Sequence, residues 1–190
     1  DFDERVFKSN DIRGVYPDAI DESFAWLLGR GIAIRLAAQH VLLGRDCRLS
    51  SPSLCGAIHA GLSTGGAAVD VLGLCPIELL YYLMGRGEPY DLGIMITASH
   101  NPPEFNGFKM VGPGGASFAS GNGPDELRTW MRQAEGPDCT GRTEPEKNVF
   151  VNKDYVGFVS RQIRNTGRID DLKVVVNLGN STGGIQWYEI

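Results

Sequence analysis

Short apolar runs alternate with amphipathic segments along most of this sequence, and that alternation constrains the fold more than any other feature. After Asp21, a candidate N-cap, apolar residues recur at every fourth position, which predicts a helix up to about residue 36. The next segments predict, in order, a strand at 41–43, a helix at 50–64, a strand at 67–72, a helix at 76–84 and a strand at 92–97. Short connections between alternating strands and helices predict right-handed crossovers. We therefore expect a three-layer α/β fold, in which helices cover both faces of a mixed, largely parallel sheet.

The pattern changes after residue 106. Residues 107–118 contain the turn sequence Gly112-Pro113-Gly114-Gly115 and predict a hairpin at the edge of the sheet. Apolar spacing predicts two more helices, over 124–135 and 152–163. The run Val174-Val175-Val176 then predicts the start of a new buried strand.

These elements suggest two domains of unequal completeness. The stretch 136–147 is rich in glycine, proline and charge, which is typical of a surface boundary. We predict a first domain over residues 1–150, a connecting helix and linker over 151–171, and the beginning of a truncated second α/β domain over 172–190. A lone strand cannot bury both of its apolar faces, so we expect the chain to be part of a longer protein.

Charge and composition exclude several classes of partner. The net charge is −5, with 18 Lys and Arg against 23 Asp and Glu, whereas nucleic-acid binders normally carry a basic surface. No apolar run reaches the length that spans a bilayer, so a membrane is not an expected partner. The four cysteines lack the C-x-x-C spacing of zinc and dithiol sites. They are interpreted as reduced thiols of a cytoplasmic protein.

The segment from Thr97 to Lys109 is the most informative candidate for a functional site. Ser99 follows directly after a predicted strand, and ligands of open parallel sheets bind beyond the carboxyl ends of the strands. Pro102-Pro103 cannot continue a strand, which makes the loop stiff and exposed. His100 and Lys109 can place positive charge beside the Ser99 hydroxyl, and such charge stabilises a phosphate.

Other interpretations of these residues remain open at this point. All four residue types of Ser-His-Asn-Pro favour turns, so the segment can be a turn without chemistry. A hydrolase is less favoured, because the adjacent Ser99 and His100 are expected to point apart when they leave a strand. If Lys109 lies on an edge hairpin, its role can simply be to prevent the edge from pairing with another strand. The remaining histidines, His40 and His59, lie in apolar periodic segments and are interpreted as structural.

Four segments together resemble one enzyme family. Residues 97–102 followed by Asn106-Gly107-Phe108-Lys109 resemble the active-site loop of the α-D-phosphohexomutases, the bacterial phosphomannomutase/phosphoglucomutase enzymes. Residues 7–14, 44–48 and 174–180 match further segments in the family's order. Asn10 departs from the family, where tyrosine is frequent.

The resemblance implies a four-domain α/β enzyme whose first domain carries a phosphorylated serine, here Ser99. Such an enzyme interconverts hexose 1-phosphate and hexose 6-phosphate of mannose or glucose through a bisphosphorylated sugar. Lys109 matches the family's general acid/base and, with Arg13, would bind substrate. Arg13 and His100 would steady the phosphate. In the alternative interpretation, Arg13 has no role in binding phosphate and simply pairs with Asp11 or Asp18. Arg45, Asp46 and Arg48 are predicted to brace the loop rather than touch substrate.

The resemblance also implies Mg²⁺ and a sugar bisphosphate, glucose 1,6-bisphosphate or mannose 1,6-bisphosphate. In this chain Ser99 would contribute a ligand through its phosphate. The D-G-D-G-D-R segment that supplies the family's other ligands does not occur. We therefore expect the chain alone to be inactive, with the missing C-terminal domains and a phosphosugar as its partners.

Alternatives to this specificity are a phosphoglucosamine mutase, a sugar-bisphosphate synthase and a non-catalytic phosphosugar-binding module.

Overall fold

The computed structural model describes residues 2–87, 89–116, 124–134, 136, 145, 147, 152–162, 173–179 and 181–184. Two short 3-10 turns, Glu4–Val6 and Pro113–Gly115, accompany the regular elements. The strands are β1 (Ile12–Val15), β2 (His40–Arg45), β3 (Ala68–Leu74), β4 (Leu92–Ile96) and β5 (Phe105–Val111). The helices are α1 (Glu22–Arg35), α2 (Ser51–Thr64), α3 (Ile77–Gly85), α4 (Pro124–Met131) and α5 (Asn152–Gln162).

The strands form one mixed sheet in the order β1-β5-β4-β2-β3. Strand β2 pairs in parallel with β3 and β4, whereas β5 runs antiparallel to both β4 and β1. All five residues of β4 are buried, as expected of a strand covered on both faces. The mixed α/β architecture predicted from the sequence is confirmed.

Helices cover both faces of this sheet. Because alternate residues of each strand point to opposite sides, neighbouring residues of one strand pack into different cores. Val41 and Leu43 of β2 belong to the core beneath α1, α2 and α4. Leu42, between them, belongs to a second core beneath α3. Helices α1 and α2 approach closely, since a Cβ added at Gly61 would lie 2.1 Å from the carbonyl oxygen of Trp26. Only glycine fits at such a contact.

Most element predictions agree with the structure to within a few residues. The Asp21 carboxylate accepts the Phe24 N–H at 2.7 Å, which confirms the predicted N-cap of α1. Helix α4 ends at Met131, four residues before the predicted end at 135, and residue 135 lies outside the described residues. Residue 163, the predicted end of α5, also lies outside them. Strand β1 was not predicted, because its four residues are too few to display a period.

The predicted edge hairpin is wrong. Strand β5 lies inside the sheet between β1 and β4, and its antiparallel neighbour along the chain is the preceding strand β4. Residues 112–115 do form a turn, in which Gly114 and Gly115 adopt positive φ angles of 70° and 79°. Residues 117–123 lie outside the described part of the chain. Because β5 is not an edge strand, Lys109 is not a guard against strand pairing.

The predicted buried strand at Val174-Val175-Val176 is also wrong for this chain. These residues form no strand, and Val175 is 94% exposed. A strand needs a partner for its backbone N–H and C=O groups, and no described segment pairs with them.

Among the described residues, no helix has both the length and the apolar character needed to cross a bilayer.

Candidate active site

The candidate site begins where β2 and β4 end. These strands are parallel and in register at Arg45 and Ile96, so the loops that follow them leave the sheet side by side. The backbone N–H of Asp46 donates to the Ile96 carbonyl oxygen at 2.9 Å and ties the two loops together. This edge is where an open α/β sheet binds its ligands.

A cleft of about 560 Å³ opens at this edge and extends toward the N-terminus of α3. All four residues predicted to carry the chemistry line it: Arg13, Ser99, His100 and Lys109. They come from β1, the loop after β4, and β5, so only the folded chain brings them together. Residues 179 and 181–183 line the same cleft and were not predicted as site residues.

Ser99 is exposed at the rim of the cleft, as predicted. Its φ angle is 55°, in the left-handed region that residues other than glycine, asparagine and aspartate seldom adopt. The Ser99 N–H donates to the Thr97 hydroxyl oxygen at 2.9 Å, which holds this bend. Strained backbone of this kind is typical of functional sites.

The structure overturns one expectation about Ser99 and His100. Their side chains were predicted to point apart, but Ser99 Oγ and His100 Nδ1 lie 3.1 Å apart, within hydrogen-bonding distance. The expectation assumed extended backbone, whereas the left-handed turn at Ser99 swings both side chains to one side. A proton can therefore pass between the hydroxyl and the imidazole.

Arg13 lies on β1, opposite Gly107 of β5. It pairs with Asp11, one of the two partners considered from the sequence, and its Nη1 donates to the Asn101 side-chain oxygen at 3.0 Å. The side chain remains 22% exposed, and it lines the cleft. Gly107 is required beside it, because a Cβ there would lie 2.1 Å from the Ile12 carbonyl oxygen.

Lys109 lies on β5, opposite Met95 of β4. Its ammonium nitrogen lies 5.4 Å from the centroid of the Tyr81 ring on α3, a distance at which the ring face attracts a cation. The interior strand fixes the backbone of Lys109, and the ring fixes the position of its charge.

Asp46 and Arg48 brace the Ser99 loop, as predicted. The Asp46 carboxylate accepts the hydroxyls of Ser51 at 2.6 Å and Thr97 at 2.7 Å, and it pairs with Arg48 at 3.1 Å. Arg45 Nη1 donates to the Asp46 carbonyl oxygen at 3.0 Å. The charged groups of this loop are thus engaged largely with the protein itself.

The sequence did not assign roles to Thr97 and Asn106, which also support the loop. Asn106 is fully buried, and its amide nitrogen donates to the hydroxyls of Ser50 at 2.8 Å and Ser51 at 3.0 Å. Its side-chain oxygen accepts the Gly107 N–H at 2.8 Å. The only signal in the sequence was that both residues belong to the matched segments, since the Asp46, Ser50 and Ser51 side chains that they bond lie more than 50 positions away.

The other two histidines lie outside the cleft. His40 is exposed at the start of β2, and His59 is half-buried on α2, where burial lowers its pKa below the ordinary value of 6.5. Cys47 is exposed, Cys55 and Cys75 are buried, and Cys139 lies outside the described residues.

A larger groove, of about 1090 Å³, lies between the N-terminal segment, α1 and the end of α4. It contains none of the predicted site residues. Three of its four carboxylates already have partners, since Asp3 pairs with Arg5, Glu4 pairs with Arg132, and Asp21 caps α1. Volume alone therefore does not identify the functional cleft.

The described residues do not by themselves fit a Mg²⁺ site. No group of three or more His, Cys, Asp and Glu side chains within them could hold a metal ion. Ser99 would provide a single phosphate oxygen, and a hard cation needs several converging oxygen ligands.

Comparisons with known proteins bear on the whole chain. Residues 4–128 match the family model described as phosphoglucomutase/phosphomannomutase, alpha/beta/alpha domain I. A protein named phosphohexose mutases from Xanthomonas campestris pv. campestris is 34% identical over 182 residues, which is 95% of this chain and 40% of that protein. Phosphomannomutase/phosphoglucomutase from Pseudomonas aeruginosa is 33% identical over 184 residues, 95% of this chain and 38% of that protein.

A solved structure gives the same result. A phosphoglucomutase/phosphomannomutase family protein from Burkholderia thailandensis superposes with a TM-score of 0.81 and 30% identity, covering all of this chain and 42% of that one. The chain thus spans about 40% of the length of the relatives it matches. On the family model, the relatives and the shared fold, this chain belongs to the phosphoglucomutase/phosphomannomutase family.

Proposed function

We propose that the protein containing this chain interconverts hexose 1-phosphate and hexose 6-phosphate, of mannose or glucose, through a phosphoserine at Ser99. One observation carries the proposal: an exposed serine hydroxyl sits on a left-handed bend in a cleft that also contains Arg13, His100 and Lys109. Phosphoryl transfer depends mainly on positioning and on neutralising the phosphate oxygens, and this cleft supplies both.

In the proposed reaction the phosphoryl group leaves the Ser99 oxygen and joins a hydroxyl oxygen of the sugar monophosphate. Lys109, acting as the free amine, takes the proton of that hydroxyl, and His100 gives a proton to the Ser99 oxygen that is released, so the product is a bisphosphorylated sugar. In the second half, the sugar's other phosphoryl group returns to the Ser99 oxygen, whose proton passes back to His100, and Lys109 gives its proton to the sugar oxygen that is released. Each phosphorus–oxygen bond broken is thus matched by one formed.

Arg13 and His100 have supporting roles in this scheme. Arg13 is held by Asp11 and Asn101, and its guanidinium would neutralise phosphate in the cleft. His100, at 3.1 Å from Ser99 Oγ, would hold the proton of the unphosphorylated serine when the phosphoryl group arrives. Mg²⁺ would supply further neutralisation of the phosphate, with carboxylates from outside the described residues completing its ligands.

We also propose that the first domain ends at residue 150 and that the connecting helix and linker end at residue 171. The remaining substrate contacts would come from domains beyond this chain. A phosphoglucosamine mutase and a bisphosphate synthase would use the same serine. A non-catalytic binding module would not phosphorylate it, which makes the modification of Ser99 the discriminating measurement.

The test uses the full-length protein incubated with glucose 1,6-bisphosphate or mannose 1,6-bisphosphate. Intact-mass analysis is expected to detect one added phosphoryl group, and a hexose monophosphate is expected to remove it. The Ser99→Ala variant should not be modified, whereas Ser63→Ala, at an exposed serine of α2, should behave as wild type. A wild-type protein that acquires no phosphate, or acquires it at another residue, would overturn the proposal.

The isolated 190-residue chain provides a second test. We expect no turnover of hexose phosphates by this chain with Mg²⁺ and glucose 1,6-bisphosphate, because its described residues provide no carboxylate cluster for the metal. Measurable turnover would contradict that expectation.

A further inference from the structure

The guanidinium of Arg48 lies at the centre of the Ser99 loop and bonds four of its backbone carbonyl oxygens. Nη1 donates to the carbonyl oxygens of Pro102 at 2.7 Å and Phe105 at 3.0 Å. Nη2 donates to those of Ser99 at 3.0 Å and Asn101 at 2.7 Å. Nε donates to the Asp46 carboxylate at 3.1 Å. A guanidinium has five N–H donors, and these five contacts occupy all of them.

This arrangement excludes one otherwise natural role for Arg48. An arginine in a cleft predicted to hold phosphate would ordinarily be assigned to the phosphate itself. Here no donor remains for a ligand, and the side chain is only 11% exposed. Arg13, by contrast, has two partners and is 22% exposed. The two arginines of the cleft therefore differ in what they can do.

The network reaches both backbone groups of Ser99. The Ser99 carbonyl oxygen accepts from Arg48, and the Ser99 N–H donates to the Thr97 hydroxyl at 2.9 Å. That hydroxyl donates to Asp46 at 2.7 Å, and Asp46 in turn pairs with Arg48. The backbone N–H and C=O of Ser99, the residue with the φ angle of 55°, are thus both connected to the Asp46–Arg48 ion pair.

We propose that Arg48 is a positioning residue that holds the Ser99 hydroxyl in its transfer geometry before substrate binds, without contacting substrate. The fully used donor set argues that the loop is fixed by the protein rather than by the ligand. Lysine cannot replace it, because an ammonium has three donors and cannot reach four carbonyl oxygens and a carboxylate at once. This inference rests on the proposed transfer at Ser99.

The first test compares Arg48→Lys and Arg48→Ala in the full-length protein, with Arg35→Ala as the control. Arg35 is 46% exposed and pairs with Glu126 away from the cleft. We expect kcat to fall about 100-fold in both Arg48 variants while KM changes less than about 3-fold, because a misplaced nucleophile slows transfer without weakening binding. Added guanidinium ion should restore part of the lost rate in Arg48→Ala but not in Arg48→Lys, where the ammonium occupies the space. A KM that rises about 10-fold with unchanged kcat would overturn the proposal and assign Arg48 to substrate.

The second test does not depend on activity. Hydrogen exchange is measured on the amides of Ser99, Asn101 and Phe105, whose bonds lie within the loop at 2.9, 3.1 and 3.1 Å. Arg48→Lys should speed their exchange about 10-fold or more, while amides of α1 keep their wild-type rates. Unchanged loop exchange would overturn the positioning role even if wild type proved inactive. If Arg48→Lys lost protection in the loop but Ser99 of the wild type never accepted phosphate, the positioning role of Arg48 would be supported and the proposed function rejected.

Discussion

Ser99 Oγ and His100 Nδ1 lie 3.1 Å apart, although the two residues are neighbours in the chain. Adjacent side chains of a strand point to opposite faces, so this contact exists only because Ser99 adopts a φ angle of 55°. The bend thereby places the hydroxyl beside a group that can hold a proton. The two residues can act together.

The contact predicts that His100 assists phosphorylation of Ser99. Replacing His100 by glutamine should slow the acquisition of phosphate from a hexose 1,6-bisphosphate by about 10- to 100-fold, because a side-chain amide cannot hold the serine proton. The rate would be followed by intact mass in the full-length protein. His40→Gln, at an exposed histidine outside the cleft, is the control and should keep the wild-type rate. Equal rates for wild type and His100→Gln would show that the imidazole has no part in the transfer.

The left-handed backbone at Ser99 predicts a difference between two inactive variants. Ser99→Gly should be more stable than Ser99→Ala by about 1 kcal/mol, since glycine adopts this conformation without the steric cost of a Cβ. Urea denaturation measures the difference. Ala37, at a φ angle of 52°, offers a matched position, and Ala37→Gly should also be stabilising. Equal stability of the two Ser99 variants would mean that the loop does not keep this bend in solution.

The contact between α1 and α2 predicts a large effect of a single methyl group. Gly61→Ala should lower the free energy of unfolding by about 3 kcal/mol, because the new Cβ would lie 2.1 Å from the backbone oxygen of Trp26 and the two helices would have to separate. Gly85→Ala is the control, since a Cβ at this last residue of α3 meets no atom within 4 Å. We expect Gly85→Ala to be neutral or stabilising by about 0.5 kcal/mol. If both variants melted alike, the close helix packing would be wrong.

Burial of Cys75 predicts that stability declines at alkaline pH. Burial raises the pKa of this thiol from 9.0 to about 12, so between those values the unfolded chain loses the proton and the folded chain keeps it. The stabilisation is therefore complete below about pH 9 and is lost as the pH rises toward 12. Relative to Cys75→Ala, wild type should lose on the order of 2 kcal/mol between about pH 8 and about pH 10.5.

Denaturant midpoints at the two pH values provide this comparison, and the raised pKa values of Tyr16 and Tyr155 affect wild type and variant equally. Cys47→Ala, at an exposed thiol, should keep the wild-type pH dependence. An identical slope for wild type and Cys75→Ala would contradict the burial of the Cys75 thiol.

Sequence patterns were sufficient where a residue's role depends on its near neighbours. The N-cap at Asp21 and the apolar runs of β2 and β4 are local features, and they located α1 and the parallel part of the sheet. The exposed position of Ser99 also followed from its place after a strand. Predictions that depended on distant partners failed, as with the edge hairpin at 107–118 and the strand at 174–176.

The sequence by itself determined the α/β class, the family and four residues of the cleft, because apolar periodicity and short motifs occupy consecutive positions. Only the tertiary structure decided that β5 lies inside the sheet, that Ser99 and His100 turn toward each other, and that Arg48 is wholly occupied by the loop. The place of β5 depends on its pairing with β1, about 90 positions away in the chain, and the role of Arg48 depends on hydrogen bonds to Ser99 and Asn101, about 50 positions away. A pattern of neighbouring residues does not show which distant carbonyl oxygen a guanidinium will bond.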